Sequence, residues 1–488
     1  MTREHLQPPI DQKGTRLSET LGLFDRHAVG IFLAALVLRC ANLLLIDDVE
    51  AFAFIEDSAL YWTGADAWLA TGEFAVRSPD GPVMQTERVP GYFLFLMVFQ
   101  WLFSEPLVPA LVAQALIDSA TCVAIALVGG YIDRSVGVAS GLLAAASPNL
   151  IIHSALILND TLFLFIFCIC ILYCVRFITT GTLSSAFIAA LCCGLAIMTR
   201  PTLQFFPLFF MLAAPVIVYI RGGRHWRMAA AVAVIVIGSS MPVVPQIARN
   251  LTHFGDASLT AQTGTHALYW VTSHAIRVET GRPFDEITTD LSRKFDVHLA
   301  EKDLKRSGLN PFQQSREQTA LALVELSKLP IGTLIRAWTQ GAVLNIAAPA
   351  VLLDPRVRGL NQSSFSNATG TTIFARAEDF LKNNSHSYLW LFAISAVGSA
   401  LAVLLALCGF YFLFRRDRWA AIFATSIAFY FLLLMGPIGS PKYRLPLEPV
   451  LFVLEAIALI VFWRIWWRRV LASSGELCRS GINSVKDR

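Results

Sequence analysis

The chain has 488 residues, of which 55% are hydrophobic and only 15% are Asp, Glu, Lys or Arg, with a formal net charge of +4. A soluble globular chain carries about 25% charged residues, so a soluble enzyme and a disordered protein are excluded. The near-balanced charge without a basic block excludes a nucleic-acid binder. Charge is also unevenly spread: residues 92–248 hold ten ionisable Asp, Glu, Lys or Arg, and residues 249–331 hold twenty. That is the pattern of a polytopic membrane protein with a water-facing insert.

A bilayer span needs about 20 apolar residues, because hydrocarbon cannot satisfy an exposed peptide group. The first such run, Ala28 to Ile46, follows a polar head with Arg3, Lys13, Arg16 and Arg26. It reads as an uncleaved signal anchor with a cytoplasmic N-terminus, residues 1–27. The loop Asp47 to Val89 is then outside. It holds nine carboxylates (Asp47, Asp48, Glu50, Glu56, Asp57, Asp66, Glu73, Asp80 and Glu87) against Arg77 and Arg88. Later basic clusters set the cytoplasmic turns: Asp133-Arg134, Arg176, Arg221 to Arg227, Arg415 to Arg418, and a tail over 464–488. Spans consistent with them run near 107–132, 136–155, 160–178, 183–199, 202–220, 228–248, 388–414, 419–436 and 446–463. Residues 90–104 and 332–352 fit as interfacial or re-entrant segments. The expected fold is thus an all-α membrane domain over 28–463, with ten spans, or twelve if both of those segments cross.

The outside loops are expected at about 47–91, 249–331 and 353–387, and to be partly helical. Asn310-Pro311 predicts an N-cap and first helical position. The helix that follows suits either the membrane surface or the insert's own core. Eight cysteines lie in apolar runs and Cys478 in the tail, so neither a disulfide framework nor a zinc site is implied.

An enzyme built this way carries its reactive groups at helix ends and in outside loops. Five clusters qualify, each with a structural alternative. Asp57 lies just outside the first span, with Tyr61 and Ala65 at helical spacing; the loop's acids as a set also serve to fix topology. Glu87-Arg88 precedes the turn Val89-Pro90-Gly91, where Arg and Tyr also anchor headgroups. Asn159-Asp160 is embedded in an apolar run, where an acid is costly and functional by default; helix capping is the bland alternative. Arg249-Asn250 opens the second insert. Lys442-Tyr443-Arg444, with Glu448, lies at another outside helix end, where cations suit a phosphate. Arg200-Pro201 is weaker, with helix termination by proline the favoured reading.

In this order the stretches "DSALYWTGADAWLATGEF", "ERVPGYFLFL", "LILNDTLFLF", "GLAIMTRPTLQFFPL", "PQIARNLTHFGDASLTAQTG" and "YRLPLEPVLFVLEA" carry a resemblance. The chain resembles the GT-C superfamily of integral-membrane glycosyltransferases, in particular the branch of protein O-mannosyltransferases and lipid A aminoarabinose transferases. The resemblance implies inverting transfer of a sugar from a polyprenyl-phosphate donor to a lipid, glycan or protein acceptor at the non-cytoplasmic face, here of a bacterial inner membrane. It implies Asp57 as catalytic base. Substrate contacts are expected from Tyr61, Glu87, Arg88, Asp160, Arg249, Lys442, Tyr443 and Arg444.

Two departures stand out: Val89 where the family has a first proline, and the missing soluble C-terminal domain of some relatives. No obligatory metal is expected, although the first-loop acids are the oxygen ligands that Mg²⁺ or Mn²⁺ take. The other class weighed is a transporter or flippase for a lipid-linked or anionic substrate. It calls for ionisable groups near the midplane, where the sequence offers Asp118. A polysaccharide polymerase or ligase using lipid-linked sugar is the other enzyme reading.

Overall fold

The computed structural model describes residues 26–78, 81–360 and 373–486. The basic head with Arg3, Lys13 and Arg16, together with Asp80 and part of the 353–387 loop, lies outside them. Among the described residues the chain is helical apart from one two-stranded hairpin. Seven helices are long and apolar enough to cross a membrane, and nine cross if each of two bent pairs is one span. The tenth expected span, near 183–199, is the 15-residue apolar helix Leu183–Ile197. Helices Gly91–Leu102 and Ile331–Ala347, with 12 and 17 residues, occupy the two segments expected to be interfacial or re-entrant.

Both bends have a cause in the sequence that hydropathy alone does not register. The expected span 136–155 is Arg134–Ala145 followed by Pro148–Ser154, bent by 53°. The expected span 228–248 is His225–Ser240 followed by Val244–Phe254, bent by 58°. Pro148 and Pro242 fall at these breaks, where a proline ring removes an N–H and clashes with the preceding turn.

Two packed cores hold the bundle. One joins helices Asp160–Thr180, Leu183–Ile197, Phe206–Ile220, His225–Ser240 and Arg418–Met435 through residues such as Phe167, Phe177, Ala189, Ile235 and Phe431. The other joins His27–Leu44, Leu107–Gly130, Arg134–Ala145, His386–Arg416 and Glu448–Lys486. Small residues let these backbones approach closely. At Gly409 an added Cβ would lie 1.8 Å from the Leu454 carbonyl, so no larger residue fits without parting the two helices.

Asp118 is not alone inside the bundle, as the sequence reading had it. Arg39 of the first span donates from Nε to Asp118 at 2.7 Å, and both side chains are almost fully buried. The same guanidinium donates to the carbonyls of Ala145 at 2.6 Å and Ala144 at 3.3 Å. Those carbonyls end the helix that Pro148 interrupts, so the cation also sits at the negative end of a helix dipole.

The first outside loop contains more structure than a loop. Asp48 caps Val49–Ala53 by accepting from the Ala51 amide at 2.9 Å. Helix Ser58–Thr71 ends at Gly72, whose φ of 75° is the left-handed C-cap glycine favours. The antiparallel hairpin Ala75–Ser78/Gly81–Met84 follows. In the second insert, Asn310 forms a capping box with Gln313 at the start of Pro311–Ser327. That helix packs Leu321 and Ala322 against Leu268, Leu291 and Phe295. Of the two placements allowed by sequence it takes the insert's own core, and Leu323 and Val324 are left exposed.

Removing one partner of the Arg39–Asp118 pair leaves a buried charge uncompensated, which costs about 3–5 kcal/mol, whereas replacing both is far milder. Asp118→Ala is therefore expected to lower the melting temperature of the detergent-solubilised protein sharply. The double variant Arg39→Leu/Asp118→Leu should recover most of the loss. Equal melting of the Asp118→Ala variant and the parent would show that the pair carries no such weight.

Candidate active site

The site forms where an unwound segment lets several helix ends meet. Helix Pro148–Ser154 stops, residues 155–159 run without regular structure, and Asp160 opens the helix to Thr180. Gln114 donates to the carbonyls of Ser154 at 3.2 Å and Leu156 at 2.8 Å, and accepts from the Tyr92 hydroxyl at 2.6 Å. Ile157 donates its amide to Ala53 of the first loop at 3.0 Å. Asn159 donates to the Thr199 carbonyl at 2.6 Å. Gly91 donates its amide to the Met198 carbonyl at 2.7 Å, and a Cβ there would lie 2.3 Å from that oxygen. The turns after Arg88 and before Arg200 are thereby locked together.

Asp160, 1% exposed at its side chain, is the centre. Arg200 donates to its Oδ1, and the Lys442 ammonium stands 3.6 Å from its Oδ2. That second oxygen has no hydrogen-bond partner. Arg200 also lies over the rings of Phe163 and Tyr443, 5.7 and 5.8 Å from their centroids. The favoured sequence reading of Arg200, helix termination by Pro201, is thus incomplete: a short 3₁₀ turn does begin at Pro201, but the guanidinium is the main partner of Asp160. Buried arginine opposite a buried acid needs a charge-assisted bond to be tolerated.

Lys442 donates as well to Glu56 at 2.9 Å, and Glu56 accepts from Arg358 at 3.2 Å. Burial alone would raise the Glu56 carboxyl, but Lys442 and Arg358 outweigh it and hold the group below its usual range. Glu56 has a φ of 52°, a left-handed conformation unusual for such a side chain. Ser58 closes the same turn, donating to the Ile55 carbonyl at 2.6 Å.

Asp57 follows, with 44% of its side chain exposed. Its Oδ2 accepts from Arg88 Nη2 at 2.9 Å, while the Arg88 side chain is only 12% exposed. The carboxylate is reachable and the cation is walled in. Glu87 sits 3.9 Å from Arg88 and is more exposed still. The Gln85 side-chain oxygen orients this pair by accepting the amides of Glu87 and Arg88 at 2.8 and 3.3 Å. Tyr61 packs edge-on to Tyr92 and Phe93. Burial pushes its hydroxyl up to about 12, so it stays a neutral donor at working pH.

Two expected contributors are occupied elsewhere. Arg249 donates to the carbonyls of Gln85 at 2.9 Å and Phe74 at 3.0 Å and lies over the Phe74 ring, which fixes the hairpin beneath Arg88. Arg444 points away from Asp160 chemistry into the bundle. Its Nε donates to Glu448 at 2.7 Å, and Glu448 also accepts from Asn149 at 3.0 Å. Sequence reading passed over three groups: His153 and Arg358, and His266 in the second insert. His266 opens a π-helical segment, His266–Thr272, a local form frequent at functional sites. Burial, with Arg88 and Arg200 adding to it, lowers its imidazole to about 4 and keeps it neutral. No sequence signal distinguishes this lone histidine from its neighbours.

Loop acids thus meet cations from four separate segments, Arg88, Arg200, Arg358 and Lys442, at the ends of a bundle of apolar helices. A family model described as dolichyl-phosphate-mannose-protein mannosyltransferase matches residues 87–273, which include Arg88, Asp160, Arg200 and His266. The match covers less than half of the chain. No curated protein matches the chain. Among solved structures it is similar to the archaeal oligosaccharyltransferase AglB from Archaeoglobus fulgidus, in complex with an inhibitory peptide and a dolichol-phosphate. The identity is 14% and the TM-score 0.49, over 93% of this chain and 52% of that one. It is also similar to ArnT from Cupriavidus metallidurans bound to undecaprenyl phosphate, at 15% identity and a TM-score of 0.36, over 88% of this chain and 77% of that one. The chain therefore spans about half the length of the oligosaccharyltransferase.

The depressed Glu56 carboxyl predicts a pH dependence of the first-loop turn. Its stabilisation is complete above the unfolded value of 4.5 and is lost as pH falls through the lower folded value. Hydrogen exchange at residues 55–60 should therefore stay slow well below pH 4.5. In Arg358→Gln, protection should be lost at higher pH than in the parent; identical pH profiles would show that Arg358 does not hold this carboxylate.

Proposed function

We propose that the chain transfers a sugar, with inversion, from a polyprenyl-phosphate donor to a hydroxyl or amine on a lipid, glycan or protein acceptor. The observation that carries the reading is the pairing of a solvent-reachable acid, Asp57, with a walled-in cation, Arg88, beside a second cluster in which Lys442 and Arg200 flank Asp160. In this reading Asp57 takes the proton of the acceptor nucleophile from a distance of about 2.6–3.2 Å. The nucleophile attacks the anomeric carbon from the face opposite the phosphate. The bond from that carbon to the phosphate oxygen breaks, and its electron pair leaves with the phosphate.

A phosphate departs as an anion, so no paired general acid is needed, in contrast to glycoside hydrolysis. Arg88 and Lys442 stabilise the leaving charge, each such contact being worth roughly 3 kcal/mol. Arg200 neutralises Asp160 and so keeps Lys442 from being fully claimed by it. Tyr61, a neutral phenol, orients a substrate oxygen. These cations supply the positive charge themselves, so the reading calls for no divalent metal. The donor's prenyl chain needs only apolar surface between helices.

The site is proposed to face the non-cytoplasmic side of a bacterial inner membrane. Arg415, Arg416 and Arg418 lie at helix ends, and Arg464 lies near the C-terminal end of the apolar stretch Pro441–Trp467, which agrees with the positive-inside bias.

Asp57→Asn keeps a hydrogen-bond acceptor for Arg88 but removes the base. With a panel of polyprenyl-phosphate sugars, turnover should fall by a factor of about 10²–10⁴ at unchanged melting temperature. Turnover within a few-fold of the parent would remove Asp57 from the role of base. Lys442→Gln should raise the KM for the donor, whereas Arg444→Gln should lower the melting temperature by leaving Glu448 buried and unpaired. A donor KM raised by the Arg444 variant alone would move the phosphate site into the bundle.

A further inference from the structure

The end of the bundle away from Asp57 holds a second constellation. Three helices diverge there: the turn before Arg134–Ala145, the end of His386–Arg416, and the middle of Glu448–Lys486. Between them lies a cavity of about 200 Å³, walled by apolar side chains including Val136, Leu413, Ile457 and Val461, with Arg416 and Arg464 at its rim. Arg464 Nη2 is held by Asp133 at 3.1 and 3.2 Å, and its Nε and Nη1 have no partner among the described residues. Arg416 spends only Nη2, on the Ile132 carbonyl at 2.9 Å, and has no carboxylate partner there. Neither Arg415 nor Arg418 forms an ion pair among the described residues, and Asp417 is occupied as an N-cap for the amides of Trp419 and Ala420.

The depth of the rim is marked independently. Trp463, Trp466 and Trp467 flank Arg464, each about half exposed, and Trp463 stacks on Trp467 with centroids 5.9 Å apart. Tryptophans in that arrangement sit at the headgroup level of a bilayer, so the two arginines are at phosphate depth and the apolar cavity lies on the hydrocarbon side of them. Capping of a helix C-terminus explains one nitrogen of Arg416 but neither the cavity nor the unspent forks. Planar guanidinium forks with free N–H groups are suited to phosphate oxygens, and basic pockets between membrane helices take anionic lipid headgroups.

We infer that this groove is a binding site for an anionic phospholipid, with one acyl chain in the cavity and its phosphate between Arg416 and Arg464. It is independent of the transfer reaction proposed for the other face. The bound phosphate neutralises cations that Asp133 alone does not cover.

Native mass spectrometry of the full-length protein in detergent tests this with phosphatidylglycerol, phosphatidylcholine and inorganic phosphate as probes. Phosphatidylglycerol should be retained in preference to phosphatidylcholine, and inorganic phosphate should not displace it. Arg416→Gln/Arg464→Gln should weaken retention by at least about tenfold, since loss of one charge-assisted hydrogen bond alone gives about that factor. Val461→Trp, which fills the cavity and leaves both cations in place, should weaken it as well and keeps the test open if the double variant fails to fold. Equal retention of the lipid by parent and variants, equal retention of the two lipids, or displacement by inorganic phosphate would each overturn the assignment.

Discussion

A helix that stops inside a bilayer leaves carbonyls and amides that lipid cannot satisfy, and the architecture around Asp160 is built on meeting that constraint. Pro148 breaks the helix begun at Arg134, and the chain does not become regular again until Asp160. Several of the groups freed around this break find partners from other elements. Arg39 takes the carbonyls of Ala144 and Ala145, Gln114 takes those of Ser154 and Leu156, and Thr161 takes that of His153. Because these donors come from three helices, the break fastens the bundle together as it interrupts one span. It also exposes a helix N-terminus, and there Asp160 is placed, where a negative charge is favoured by the dipole.

With one acid so fixed, the surrounding charges follow in a chain. Asp160 draws in Arg200 and Lys442; Lys442 holds Glu56; Glu56 holds Arg358. Glu56 is thereby strapped down in a left-handed conformation, and the next residue is Asp57. The division of labour between the two aspartates comes from burial. Asp160 is enclosed and already served by two cations, which suits it to hold positive charge in place. Asp57 is nearly half exposed and has one partner, which suits it to exchange a proton.

Hydropathy made apolar helices legible near each expected span, seven to nine of them long enough to cross among the described residues, because lipid solvation acts on each run of 20 residues separately. What it could not register was interruption: Pro148 and Pro242 sit in runs as apolar as any other, and 136–155 and 228–248 read as single rods. The Asn310 N-cap was legible for the opposite reason, being decided within a few residues, although its pairing with Gln313 was not read. The site was partly legible. Asp57, Arg88, Asp160 and Lys442 stand out as charges against apolar sequence or at span ends, and the structure brings them to one cleft. Arg39 and Arg358 are no less placed by the fold, but their partners lie 79 and 302 residues away (Asp118 and Glu56), and His266 feels the charge of Arg88 from 178 residues away in sequence. Arg444 shows the converse. It has the residue type and the position in sequence that a phosphate ligand needs, yet an acid four residues on, one helical turn away, claims it.

The separation of acids from unpaired bases along the bundle axis follows from the same physics. At the Asp57 end each walled-in cation has a carboxylate within reach, so the cleft is close to neutral until a substrate arrives. In the proposed reaction a phosphate entering there would compete with carboxylates for Arg88 and Lys442, which favours its release after transfer over its permanent capture. At the other end Arg415, Arg416 and Arg418 form no ion pair with an acid among the described residues. A site meant to turn over and a site meant to hold an anion thus differ in one countable property, the number of carboxylates set against the arginines.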